Sequence, residues 1–133
     1  MEVTFPATNH LSIWIGYFEQ EQHFNACVEA EIAPCLGMGG QFNLLAEDAF
    51  ENEPLAVEEL LEGFTHWRQY TDAARTIADS YGVEAVNAAV VVQQVICHEA
   101  PPQWGHFYFL GSFEAVAPKK IKHDPRKRPS DEY

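Results

Sequence analysis

His10-Leu-Ser-Ile-Trp-Ile-Gly-Tyr-Phe18 is apolar on both of its alternating sets. Leu11, Ile13, Ile15 and Tyr17 fall on one side, Trp14 and Phe18 on the other. A segment of β-branched and aromatic residues with no polar face belongs inside a sheet rather than at its surface. Two more stretches read as strands, Ala88 to His98 (AAVVVQQVICH) and Gly105 to Val116 (GHFYFLGSFEAV). The turn-forming residues 99–104 between them predict that they pair as an antiparallel hairpin. Gly16 and Gly111, each inside a strand pattern, predict a close backbone approach or a bulge.

The intervening segments have helical periods. Between Glu19 and Ile32, Phe24, Cys27, Val28 and Glu31 or Ile32 fall at helical spacing, and Pro34 with Gly37, Gly39 and Gly40 ends the run. Residues 41–52 (QFNLLAEDAFEN) fit neither period. From Pro54 onward, Val57, Leu60, Leu61 and Phe64 follow i, i+3, i+4, i+7, with Gly63 placed to stop the helix. A second stripe, Trp67, Tyr70, Ala74, Ile77, Ala78 and Tyr81, closes at Gly82. The expected fold is α+β: a small sheet holding the N-terminal strand and a C-terminal antiparallel hairpin, with helices packed on one face. Trp14, Phe64, Phe109 and Phe113 are the expected large core residues. The domain is expected to span residues 1–118, with residues 119–133 a basic, disordered tail.

A chain of 133 residues that is 47% hydrophobic is large enough to bury one core, which excludes a disordered or fibrous protein. No apolar run approaches the roughly 20 residues that would span a bilayer, and the opening MEVTFPATNH lacks a signal-peptide layout, so a cytoplasmic protein is expected. The cysteines Cys27, Cys35 and Cys97 are odd in number and lack CxxC spacing, which predicts free thiols.

Charge is segregated along the chain. Residues 1–118 carry 17 acids against Arg68 and Arg75, a net −15, while residues 119–133 carry six basic residues against three acids, a net +3. Before Arg68 there are twelve carboxylates and no Lys or Arg. Such a body repels nucleic acid and anionic membranes and attracts basic proteins. Its densest strip is Glu47, Asp48, Glu51 and Glu53, continuing through Glu58, Glu59 and Glu62, the last three opposite the apolar stripe of their helix. These seven residues are the expected contact surface for a basic partner.

Other chemistry finds little support. His10, His66, His98 and His106 stand near the ends of elements, but without an HExxH motif no metal site is expected, and no cofactor. Ser12 and Ser112 lack a GxSxG elbow, and Cys97 and His98 point to opposite faces of a strand, so no catalytic residue is expected. The loop CLGMGGQ lacks the Lys-Ser/Thr of a phosphate-binding loop. The alternatives are a small enzyme or metal-binding protein using a histidine cluster, or an acidic nucleic-acid mimic.

Three segments in order, Ser12-Ile-Trp-Ile-Gly-Tyr-Phe18, Leu60-Leu-Glu-Gly-Phe64 and Phe109-Leu-Gly-Ser-Phe113, resemble the opening strand, mid-chain acidic helix and closing strand of the Imm22 family of immunity proteins. The resemblance covers about residues 10–116, with 33–52 following the pattern loosely and the basic tail standing outside it. It implies a bacterial immunity protein of a polymorphic toxin system. Such a protein binds a cognate toxin domain in the cytoplasm and neutralises it without enzymatic activity.

Overall fold

The strand that begins at His10 lies at the centre of a five-stranded antiparallel sheet. The computed structural model describes residues 1–116. In chain order these form β1 (Glu2–Thr4), β2 (His10–Gly16), α1 (Glu21–Cys27), a π-helical turn (Val28–Ile32) and α2 (Ala33–Leu36). Next come α3 (Gln41–Leu45), β3 (Ala46–Ala56), α4 (Val57–Leu61), a 3₁₀ turn (Trp67–Gln69) and α5 (Thr71–Ser80). The chain continues through β4 (Ala85–Gln93), β5 (Ile96–His98), β6 (Gln103–Trp104) and β7 (Phe107–Glu114). The strand order is β3-β4-β2-β7-β6, and β1 pairs with β5 in a separate two-stranded ribbon. The α+β class, the N-terminal strand and a C-terminal hairpin are all present.

The helices, expected on one face, occupy both. Trp14, Val90, Val92, Phe107 and Phe109 pack under Phe24, Val28, Ile32, Leu36 and Phe42 from the α1 to α3 side. Leu11, Ile13, Ile15, Val91 and Leu110 pack under Leu60, Leu61, Tyr70, Ala74 and Ala78 from α4, α5 and the segment between them. A strand that is apolar on both faces needs a cover on each, because either face left wet would expose several large side chains at about 25 cal/mol per Å².

The expected hairpin between residues 88–98 and 105–116 does not form. β2 is inserted between β4 and β7, and the C-terminal hairpin is instead β6 with β7, joined through the two-residue loop Gly105-His106. Gly105 stands first in that loop at φ 58°, a conformation glycine adopts without steric cost. Gly111 marks a bulge: Ile13 pairs with Gly111 and Trp14 with Phe109, which leaves Leu110 as the extra residue. Gly16 permits a close approach, since a Cβ there would lie 2.9 Å from the Phe18 ring and 3.2 Å from the His106 carbonyl. Trp14, Phe64 and Phe109 are buried, and Phe113 is half-buried against the α4/α5 core.

Residues 41–52 fit no single period because the chain changes from helix to strand at Leu45/Ala46. β3 pairs regularly from Ala46 to Phe50 and again at Leu55 and Ala56. Glu51 to Pro54 form an excursion opposite a single residue of β4, Asn87. Asn87 is buried, and its side chain faces the other way in hydrogen bonding. Oδ1 accepts from the Phe18 N–H at 2.8 Å, and Nδ2 donates to the Phe18 carbonyl at 2.6 Å. It thereby continues the sheet one step beyond the end of β2. Among the described residues no helix is long and apolar enough to cross a membrane. The expected tail, 119–133, lies outside the described residues.

Candidate functional site

β3 is an edge strand, so its outer side has no neighbouring strand and its charged residues stand along the rim of the sheet. Alternation puts Glu47 and Ala49 on the α4/α5 face, and Asp48 and Phe50 on the α1 face. Beside the strand, α4 ends at Leu61 and the chain turns out through extended Glu62 and Gly63 (φ 101°). The strand and this turn enclose a groove of about 500 Å³. Glu47, Asp48, Glu51, Glu59 and Glu62 line it above an apolar floor of Leu55, Leu60 and Phe64, and no Lys or Arg is among its lining residues. Five of the seven expected contact residues therefore meet in one place, although they come from two separate segments.

The other two do not join them. Glu58 lies 3.6 Å from the Arg75 guanidinium, which also approaches Asp79 at 3.9 Å, and it lines a neighbouring cavity with Glu59, Glu62 and Arg68. Glu53 is exposed on the β3 excursion, outside the groove lining. Within the groove, Glu47 has a structural task. One carboxylate oxygen accepts from the Thr65 N–H at 3.2 Å and the Thr65 hydroxyl at 2.9 Å, and the other accepts from the Gln93 amide at 3.2 Å. It ties β3 to the turn after α4 and to the end of β4. Glu51, Glu59 and Glu62 are the carboxylates that face a partner, while Asp48 borders the groove but also lines a cavity on the α1 side with Asn25 and Glu29.

The serines are structural, as expected. The Ser12 hydroxyl donates to the Val95 carbonyl at 2.8 Å, so the Ser112 hydroxyl donates to Ser12 across 2.6 Å while accepting from the Cys97 N–H at 3.0 Å. This node binds β2, β7 and β5 together. Burial pushes the neighbouring Cys97 thiol up to about 11. His98 lies on the opposite side of β5 from Cys97, where it shares a hydrogen bond with the Thr4 hydroxyl at 2.8 Å.

At the opposite end of the sheet a second cluster forms that the sequence reading missed. His23 and Cys27 lie one turn apart on α1, His106 comes from the β6–β7 loop, and one donor atom from each lies within 4.8 Å of the others. Cys27 Sγ is 3.6 Å from His106 Nδ1. Glu31, in the π-helical turn, contacts the same His106 Nδ1, and its two carboxylate oxygens accept from the His106 backbone N–H at 3.0 and 3.1 Å. Its own carbonyl accepts from the Trp104 indole at 2.6 Å. Burial, and then the Glu31 charge and hydrogen bond, push the Cys27 thiol above its ordinary range. Of the four histidines singled out from the sequence, only His106 takes part.

Comparison with family models, with curated proteins and with solved structures finds no match to this chain. Function is therefore read from the groove and the cluster themselves. The helical spacing of His23 and Cys27 was visible in the sequence. The third donor, His106, was not, because it joins them only after β7 has placed the hairpin loop beside α1.

Proposed function

We propose that this protein is an immunity protein. In this reading it binds a cognate bacterial toxin domain in the cytoplasm through the acidic groove at the β3 edge and neutralises it by stoichiometric, non-catalytic inhibition. One observation supports the reading above the others: carboxylates from β3 and from the α4 turn converge on one groove with no cation among its lining residues. Like charges held together cost stability, by a few tenths of a kcal/mol for each close pair on a helix. A basic partner removes that cost on binding, and the long-range field speeds its approach.

A toxin that acts on a phosphodiester needs a basic surface for its substrate, and an acidic rim above an apolar floor can plug such a surface. The floor residues Leu55, Leu60 and Phe64 supply a site for an apolar anchor, where most binding energy concentrates, and the rim sets the encounter rate.

The test is protection in cells. The protein is co-expressed with the toxin-like domain encoded by the adjacent upstream gene, and growth is scored beside purification of the complex. Protection together with a one-to-one complex supports the proposal. Toxicity that persists with both proteins folded and soluble contradicts it.

A further inference from the structure

We propose that His23, Cys27 and His106 form a binding site for a single zinc ion, which clips α1 to the β6–β7 hairpin, with Glu31 holding the His106 loop in place. The inference goes beyond the inhibitory function and does not depend on it.

The donor set is one thiol and two imidazoles, a combination of sulfur and nitrogen that zinc accepts, with water completing a four-coordinate site. The spacing agrees. With zinc bonded to sulfur at about 2.3 Å and to nitrogen at about 2.0–2.1 Å, tetrahedral geometry puts the two donors roughly 3.6 Å apart. Cys27 Sγ and His106 Nδ1 are separated by 3.6 Å. His23 and His106 are exposed, so an ion can enter from solvent while Cys27 sits at the buried end of the cluster.

The helix is shaped to bring Glu31 to the loop that carries His106. In a regular α-helix each four-residue step advances about 40° beyond a full turn, so Glu31 would drift further round the axis from His23 than Cys27 does. The π-helical turn starts at Val28, immediately after Cys27. Its wider winding needs more than four residues per revolution, so the step from Cys27 to Glu31 swings back toward the His23 side. The Glu31 carboxylate is then fixed against the loop by the His106 backbone N–H. A side chain on Gly105 would run into that carboxylate, so the loop glycine makes room for it.

A cysteine nucleophile is the competing use of these residues, and the geometry disfavours it. Activation of a thiol needs the acid on one imidazole nitrogen and the sulfur on the other. Here Cys27 and Glu31 both meet Nδ1, so the acid does not sit on the far nitrogen to orient the ring toward the sulfur. A metal takes the thiolate, with the thiol proton leaving to solvent.

The experiment is a titration of the full-length, metal-free protein with Co(II), followed by competition with Zn(II). The expected result is one equivalent of cobalt bound, with a thiolate-to-cobalt charge-transfer band and the intense visible bands of tetrahedral coordination, both displaced by zinc. Cys27→Ser should abolish the charge-transfer band. His23→Ala, an exposed position whose loss leaves the core intact, should weaken binding at least tenfold, and His106→Ala likewise. Cys35→Ser, which removes the exposed thiol, should leave the spectrum unchanged. Absence of the band, its persistence in Cys27→Ser, its loss in Cys35→Ser, or unchanged affinity in His23→Ala would each overturn the proposal.

Discussion

The two edges of the five-stranded sheet treat carboxylates in opposite ways. At the β3 edge, Glu51, Glu59 and Glu62 surround a groove whose lining holds no cation. At the β6 edge, Glu31 is tied to a backbone N–H and an imidazole beside a thiol and a second histidine. The first arrangement leaves negative charge available to a molecule from outside. The second uses a carboxylate to position donors around a common centre. Content alone does not separate the two, since both draw on the same acidic N-terminal half of the chain. What separates them is how many hydrogen-bond donors the fold brings to each carboxylate.

Both edges depend on β4 and β2, which makes Asn87 the position where the comparison is broken most severely. Its amide serves both backbone groups of Phe18, just ahead of α1, and it stands opposite the β3 excursion on its other side. Asn87→Ala leaves two backbone groups without partners, and should cost about 2–4 kcal/mol of unfolding free energy in a urea titration. A loss under about 1 kcal/mol would show that the Phe18 end of β2 is held by something else.

The contrast within the groove gives a smaller effect. Glu47→Ala removes acceptors for Thr65 and Gln93 and should cost about 1 kcal/mol in the same titration. Glu59→Gln should stay within about 0.5 kcal/mol of the parent, or stabilise slightly, because it relieves repulsion without breaking a contact. Equal costs at the two positions would remove the distinction between clamp and contact residues.

A further expected effect concerns pH. An unfolded thiol ionises near 9.0, whereas Cys97 in the folded protein stays neutral up to about 11. Its contribution to stability is therefore fully present below about pH 9 and is lost as pH rises through the folded value. Cys97→Ala should be less stable at neutral pH, through the small cavity it leaves, yet decline less steeply between pH 9 and 11. Parallel profiles for the two proteins would contradict the burial of this thiol.

Much of the fold could be read from one strand, because a segment apolar on both faces can only be central. The consequence of that reading for the helices was harder to see. Two-sided burial requires cover on both faces, yet one face alone was expected to be covered. The strand pairing was misread for a topological reason: segments 88–98 and 105–116 are neighbours in sequence, and nothing local shows that β2 comes between them. The acidic groove was legible because its residues lie close together along the chain. Glu58 does lie beside Glu59 and Glu62, but in a cavity next to the groove rather than in the groove itself, although α4 ends at Leu61. The second cluster escaped because Cys27 and His106 are 79 residues apart, and only the register of β6 on β7 brings them together.

The central claim, that the β3 edge is the surface a basic partner meets, is tested most directly by the association rate. The parent and a Glu51/Glu59/Glu62→Gln triple variant, which leaves the Glu47 clamp and the Glu58–Arg75 pair in place, are mixed with the toxin domain by stopped flow at low ionic strength. Steering by this edge predicts at least a tenfold slower association for the variant, a difference that shrinks as salt is added, with thermal stability unchanged or slightly raised. An association rate equal to that of the parent at low salt would contradict the claim and place the contact elsewhere on the molecule.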